Sequence, residues 1–329
     1  MTDKLNEVSF EILQKCPNNC LHCSSNSHIS CKHITKYIIF KQVIDDAIKL
    51  GMERLCLSGG EPFLHPDLIK MVSYAKKYNI EVYIYTSGIV KNNNGLDESI
   101  SSNILLELKK LNVDKLIYNV QAVTDESYDF IMQTKGNLNL LKESIQKSVS
   151  LDIYSEIHFV PMKININDIH KVINFAKDLK VKQISFLRFV PQGRGLLNKE
   201  LLYLTLDDFV MYMKNINLST EVLGDLKIRL GIPLSHSVKT SSCNAGWGKL
   251  IIRYDGAVFP CEAYKYINCL SGKKVEPDNI NNKKLKEIWD NSEFLNILRA
   301  DIAAFKDINV GCETCPAQSN YEKYINNCN

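Results

Sequence analysis

Three cysteines near the amino end stand at C-x3-C-x2-C spacing in Lys15-Cys16-Pro17-Asn18-Asn19-Cys20-Leu21-His22-Cys23. So compact a loop places three thiolates close enough to hold three corners of an iron–sulfur cubane, and the fourth iron stays open. Structural zinc sites and ordinary ferredoxin clusters take four protein ligands, so three at this spacing point to a site that keeps a position for an exogenous chelator. A second group of thiols lies toward the carboxyl end. Cys243 and Cys261 bracket a predicted hairpin, Leu250-Ile251-Ile252-Arg253-Tyr254, the tight turn Asp255-Gly256, then Ala257-Val258-Phe259-Pro260. The hairpin returns the chain to its start, so the two thiols can meet. Cys312-Glu313-Thr314-Cys315 is a C-x2-C turn that supplies two more ligands and completes four. Spacing alone does not separate zinc from iron in such a set.

The amino-terminal triad resembles the defining motif of the radical SAM superfamily, whose members use S-adenosylmethionine (SAM). That motif carries an aromatic or similar residue before its last cysteine, here His22. Gly59-Gly60-Glu61-Pro62 is similar to the family segment that receives the methionine ammonium group. Two glycines there let backbone approach closely, and Pro62 stiffens the turn. Ser87 stands where many relatives carry an asparagine after a threonine, and Gln121 falls in a stretch that often reads Ser-Leu-Asp. The resemblance makes these two the candidates for the ribose and carboxylate contacts, at positions where this chain departs from the family pattern. Arg188, at a strand end, reads equally as an ion-paired surface residue and as a contact to a carboxylate of SAM or substrate. The resemblance implies a SAM-binding [4Fe-4S] cluster held by Cys16, Cys20 and Cys23. Its open iron takes the amino and carboxyl groups of SAM, and one electron from the reduced cluster yields a 5′-deoxyadenosyl radical that removes a substrate hydrogen.

The carboxy-terminal pattern, C-x12-G-x4-C followed by a helix containing Glu287-Ile288-Trp289 and then C-x2-C, resembles the auxiliary-cluster extension called SPASM, or its shorter twitch form. This implies one auxiliary [4Fe-4S] cluster on Cys243, Cys261, Cys312 and Cys315, since only Cys328 follows the last pair. Four thiolates would close that cluster for electron transfer or structure; three would leave an iron to grip substrate. Cys269 and Cys328 are open to three readings: a further ligand, a hydrogen-atom donor, or an inert thiol. Cys56, inside a β-run, reads as a small buried apolar residue, and Cys31 as incidental. Enzymes of this layout mostly modify ribosomally made peptides or proteins. The alternatives are a small-molecule dehydrogenase or rearrangement enzyme and, from another class, a non-catalytic iron–sulfur electron carrier or redox sensor. The implied partners are a peptide or small-molecule substrate and an electron donor such as flavodoxin or ferredoxin. With the first strand beginning near residue 8, leader recognition is expected from a separate protein or another surface.

The elements that must position these groups alternate along the chain. Val8–Leu13, Arg54–Leu57, Glu81–Tyr85, Lys115–Val120, Glu156–Val160 and Gln183–Leu187 are β-branched and aromatic runs separated by helix-period segments. One helix is marked by Ile38, Val43, Ala47 and Leu50, opened by Thr35 as N-cap and closed by Gly51; others begin near Pro66, Ser101, Gly136 and Asn167. Strand, helix, strand with such connections means parallel strands and right-handed crossovers. The expected class is α/β: a partial (β/α)6 barrel over residues 4–200, a linker region over 201–242, and a small β-hairpin plus helix auxiliary-cluster domain over 243–329. Functional groups collect at the carboxyl ends of such strands, and the triad, the Gly-Gly-Glu-Pro turn, Ser87 and Arg188 all fall there. Tyr83, Tyr85 and Tyr118 are expected to fill the core. The 329 residues allow one large and one small domain, 45% of them are apolar, and the net charge is only +3. No like-charge block demands nucleic acid or an acidic membrane. No signal-peptide core or membrane-length apolar run is present, and eleven cysteines without one suggest metal or catalytic thiols in a reducing cytoplasm.

Overall fold

A computed structural model of the chain describes residues 4–205, 207–208, 211, 224–231, 243–270, 273–308 and 315–319. The strands are β1 (Glu7–Leu13), β2 (Arg54–Gly59), β3 (Glu81–Thr86), β4 (Ile89–Lys91), β5 (Asp97–Ser99), β6 (Lys115–Asn119), β7 (Ser155–Phe159), β8 (Gln183–Phe186), β9 (Lys227–Leu230), β10 (Lys249–Ile252), β11 (Val258–Phe259), β12 (Cys269–Leu270) and β13 (Lys273–Lys274). Nine of them form one sheet in the order β11-β10-β1-β2-β3-β6-β7-β8-β9. Every neighbouring pair is parallel except β10 with β11. The crossovers carry α1 (Tyr37–Lys49), α2 (Leu68–Lys76), α3 (Ser102–Lys110), α4 (Asp125–Met132), α5 (Leu138–Ser150) and α6 (Ile169–Asp178). This is the expected parallel α/β core, with all six predicted strands in sequence order.

The two faces of the sheet differ in chemistry. Val8, Phe10, Ile12, Leu55, Leu57, Val82, Ile84, Leu116, Ile157, Phe159, Ile184 and Phe186 are buried on the face that the helices cover. Phe10 stacks on Phe40 of α1 with ring centroids 5.9 Å apart. The α1 residues that turn inward are Phe40, Val43, Ile44 and Ala47, whereas Ile38 is exposed. The helix therefore starts later than the Thr35 cap implies: Thr35 instead donates its backbone N–H to Ile12 O, continuing the loop that leaves β1. Ser101 does cap α3, accepting from Ile104 N. The register places Ser9, Cys56, Tyr83 and Lys115 in one row across the other face, and Asn119, His158 and Ser185 in another. A parallel sheet buried on both sides would be apolar on both. Here the inner face is polar, and its groups pair with one another, Ser9 with Glu262 and Glu156 with Lys115, His158 and Ser185. Of the three tyrosines, only Tyr118 is core; Tyr85 is half-buried against His158 on the polar inner face, and Tyr83 lies under the Arg54 and Lys115 cations.

The sheet grows beyond the expected six strands at both edges. β9, within the 201–242 stretch, pairs with β8, matching Ile184 to Ile228. The carboxy-terminal hairpin β10–β11 adds to β1, matching Val8 to Leu250. No helix among the described residues is long and apolar enough to cross a membrane.

Candidate active site

β1 delivers the chain into the Cys16–Cys23 loop, and backbone hydrogen bonds set the loop's path. Cys16 N donates to His28 O at 3.3 Å, Asn19 N to Met132 O at 3.2 Å and Leu21 N to Ile131 O at 2.9 Å, so the end of α4 buttresses one side. Cys16 and Cys20 are buried and Cys23 is half-buried. Burial pushes the Cys16 thiol well up from its ordinary value, and the neighbouring Cys20, Glu61 and Cys23 add to it. Cys20 is pushed up to about 12, by burial and then Cys23, with Arg194 opposing. Two buried thiols that resist ionisation, Cys16 and Cys20, become thiolates together only when a cation compensates them.

The Gly59-Gly60 turn lies directly against the base of that loop. Gly60 N donates to Leu13 O and Glu61 N to Lys15 O, both at 2.8 Å. A Cβ on Gly60 would fall 2.0 Å from Lys15 O, and one on Gly59, at φ +128°, 2.1 Å from Leu13 O. The glycines thus admit the cysteine loop's own backbone. Pro62 opens a 3-10 turn, Pro62–Leu64. Glu61 is fully buried; its Oε2 accepts from Ser87 N at 2.7 Å and Ser87 Oγ at 2.6 Å, and its Oε1 from Thr86 Oγ1 at 2.8 Å and Phe63 N at 3.2 Å. Glu61 therefore fixes the Thr86-Ser87 turn at the end of β3. Gln121 is also fully buried: its Oε1 accepts from Val160 N at 2.9 Å, and its Nε2 donates to Asn119 Oδ1 and to His158 O. Its amide ties the ends of β6 and β7 together.

Sequence reasoning missed the strap that follows β8. Arg194 Nε donates to Cys20 O at 2.9 Å and its Nη2 to Ser27 O at 2.6 Å, while Arg194 N donates to Cys23 O at 3.0 Å. Asn198 Nδ2 donates to Leu21 O at 3.1 Å. Gly193, at φ +54°, and Gly195 pass so close to Ser24 O and His22 O that a side chain at Gly193 would collide with backbone. The signal was an arginine between two glycines just past a strand. Burial and Arg194 together pull the His22 imidazole down to about 4, so it is neutral at pH 7. Arg188, at the start of this strap, is half-buried; burial lowers its affinity for the proton while nearby Tyr203 and Cys315 act the other way. Among the described residues no carboxylate pairs with it.

In the carboxy-terminal region, Gly246 N donates to both Lys249 O and Pro260 O, closing the base of the hairpin. Burial, Glu262, Cys315 and Cys243 all push the Cys261 thiol well up, which puts these three cysteines in one neighbourhood. Cys312 and Cys328 lie outside the described residues, and Cys269 is placed only by its backbone, paired with Lys274. Glu262 points back to the polar inner face of the sheet. Ser9 Oγ donates to it at 2.7 Å and Lys249 Nζ lies 3.1 Å away. Its side chain is 47% accessible, and although burial would raise its carboxyl, Lys249 and the Ser9 hydrogen bond hold it below the usual range. Cys56, buried in the same row as Ser9, is pushed up to about 12 by burial and Glu7. Tyr85 packs edge-on against His158 at 5.3 Å.

The donor set fits the groups implied by the sequence. No three His, Cys, Asp or Glu side chains among the described residues converge closely enough to share a single metal ion. The fit rests instead on the thiol triad and on buried polar atoms around it that have no hydrogen-bond partner: both amide atoms of Asn18, Nδ1 of His22 and Oγ of Ser27. Such orphans are costly unless a bound group satisfies them.

The comparisons agree with this geometry. The profile of the radical SAM superfamily matches residues 10–176, and that of the SPASM iron–sulfur cluster-binding domain matches residues 243–316. The chain is 26% identical over 292 residues to a PqqA peptide cyclase of Gluconobacter oxydans, covering 88% of this chain and 77% of that protein. It is 24% identical over 346 residues to an AdoMet-dependent heme synthase of Methanosarcina barkeri, covering 95% and 92%. Streptococcus suis SuiB shares the fold. Its structure bound to S-adenosylmethionine superposes with a TM-score of 0.74 at 15% identity, over 91% of this chain and 68% of that one. Its structure bound to precursor peptide SuiA gives 0.73 at 15% identity, over 91% and 67%. With its superfamily profile matching more than half of the chain, the chain belongs to the radical SAM superfamily and carries a SPASM domain in its carboxy-terminal part.

Proposed function

We propose that this enzyme modifies a peptide or protein by removing a hydrogen atom from one of its residues. The observation that carries the reading is the polar inner face of the sheet, with the Cys16–Cys23 loop at the carboxyl end of β1 and Glu262, next to Cys261, reaching Ser9 on that face. Peptide chemistry in a relative, the PqqA peptide cyclase, and a bound precursor peptide in SuiB support it. Cys16, Cys20 and Cys23 would hold a [4Fe-4S] cluster, with SAM on its open iron beside Gly59, Gly60, Glu61, Pro62 and the Ser87 turn. Cys243, Cys261, Cys312 and Cys315 would hold the auxiliary [4Fe-4S] cluster. Bound there, these groups supply one-electron cleavage of SAM to a carbon radical.

The chain's own residues do the remaining work. Arg194 and Asn198 keep the cysteine loop closed against α4, and Glu61 holds Ser87 facing the same end of the sheet. Glu262, Lys249, Tyr85 and His158 offer a peptide the mixed donors and acceptors that its amides and side chains require. Arg188, with no carboxylate partner among the described residues, would meet a carboxylate of SAM or substrate. The electron donor would be a flavodoxin or ferredoxin. A reducing cytoplasm suits the eight cysteines whose side chains are described, all of them free thiols. The M. barkeri heme synthase, aligned over 95% of this chain, favours a small-molecule acceptor as the second reading. Deuterium tracing distinguishes them: label passing from a candidate peptide into 5′-deoxyadenosine supports peptide modification. Transfer only from small molecules would replace that reading with the second.

A further inference from the structure

Lys265 lies just past the short turn after Cys261, but its side chain leaves the auxiliary region. Its ammonium, 2% exposed, donates to Glu11 Oε1 of β1 at 2.7 Å, to Ser24 Oγ at 2.9 Å and to Ser25 Oγ at 2.8 Å. An ammonium has three protons, and all three are used. Ser25 Oγ donates in turn to Glu11 Oε1 at 2.7 Å, Gln14 Nε2 donates to Ser25 O at 3.0 Å, and Tyr254 N from the hairpin donates to Glu11 Oε2 at 3.4 Å. Ser24 and Ser25 are the residues directly after Cys23. The segment that presents Lys265 is itself fixed from two sides. Arg253 Nη1 donates to Lys265 O and Gln192 Nε2 to Ala263 O, each at 2.5 Å. Gln192 belongs to the strap whose Arg194 clamps the cysteine loop.

A charged pair this deep returns little net stability, because desolvation offsets its attraction, and apolar side chains of similar size would support the fold as well. Apolar side chains cannot aim hydrogen bonds at the chain behind Cys23, nor place a fixed charge distribution beside an anionic cluster whose potential responds to it. We propose that Lys265 is a positioning residue for the SAM-side cluster. Through Glu11, Ser24 and Ser25 it sets the exit of the Cys16–Cys23 loop from the auxiliary region, so loading and potential of the first cluster depend on a residue of the second region.

The test uses full-length chains, reconstituted anaerobically, carrying Lys265→Met alone or Lys265→Met with Glu11→Gln. Thermal midpoint, iron content, reduction potential and the SAM-induced change in the spectrum of the reduced cluster are read well below each variant's midpoint. The single variant leaves Glu11 buried and unpaired and is expected to melt early. The double variant removes both charges and is expected to recover its melting temperature. It should still show roughly a tenfold or greater loss of iron affinity at the first site, with a displaced potential and an altered response to SAM. If recovery of the melting temperature also brings back wild-type loading, potential and SAM response, the network serves stability alone and the proposal is overturned. None of these readouts involves a substrate, so they stand or fall separately from the peptide reading.

Discussion

At the scale of single residues, the site is governed by how closely two stretches of backbone approach. Gly60 packs against Lys15 O at a distance that leaves no room for a methyl group. Gly60→Ala must therefore push the base of the cysteine loop away, a change that costs about 1–3 kcal/mol as overpacking. The expected outcome is a lower thermal midpoint and loss of iron from the first site with the auxiliary iron retained; unaltered loading at both sites would contradict it. Gly59 and Gly60 were legible in the sequence as a close-approach turn, but not what approaches. Their neighbour is the cysteine loop itself, a contact between segments over forty residues apart in sequence. Arg194 was passed over for a similar reason: its two backbone acceptors, Cys20 O and Ser27 O, come from a distant loop that only the folded chain brings beside it.

At the scale of elements, the polar inner face depends on ion pairs that hold its rows in place. Burial would raise the Glu156 carboxyl, but hydrogen bonds from His158, Ser185 and Lys115 more than offset this and bring it down from 4.5 to about 2. A depressed carboxyl contributes stability that is present above its unfolded value and lost as pH falls through the folded one. The difference in stability between wild type and Glu156→Gln, on the order of 3 kcal/mol, should therefore shrink as pH falls from about 4.5 to about 2. Unfolding curves across that window check it, and a constant difference would contradict it. The six parallel strands were readable because their outward residues, Val, Ile, Leu and Phe, recur at alternate positions. β9 was not: Lys227-Ile228-Arg229-Leu230 is short and charged, and it is a strand because β8 offers it an edge. The cap of α1 falls one residue past the expected Thr35 because Thr35 is held by Ile12 O in the loop that leaves β1.

At the scale of the whole molecule, the two cysteine regions share one sheet. Residues 249–252 extend β1 on the side opposite β2. The hairpin was legible from Asp255-Gly256 and its flanking apolar runs; its pairing with β1 was not, because nothing local specifies which edge a parallel strand joins. The shared sheet brings Glu262, next to Cys261, onto Ser9 of β1 while the Cys16–Cys23 loop crowns the carboxyl end of the same strand. The central claim is that this loop, one ligand short of closing its cluster, is where SAM is cleaved. Its most direct measurement is release of 5′-deoxyadenosine from SAM by anaerobically reconstituted protein with dithionite, for wild type and for a variant with Cys16, Cys20 and Cys23 all replaced by alanine. Wild type should release it and the triple variant should not, although its auxiliary iron remains; reductive cleavage of SAM by the triple variant would contradict the account.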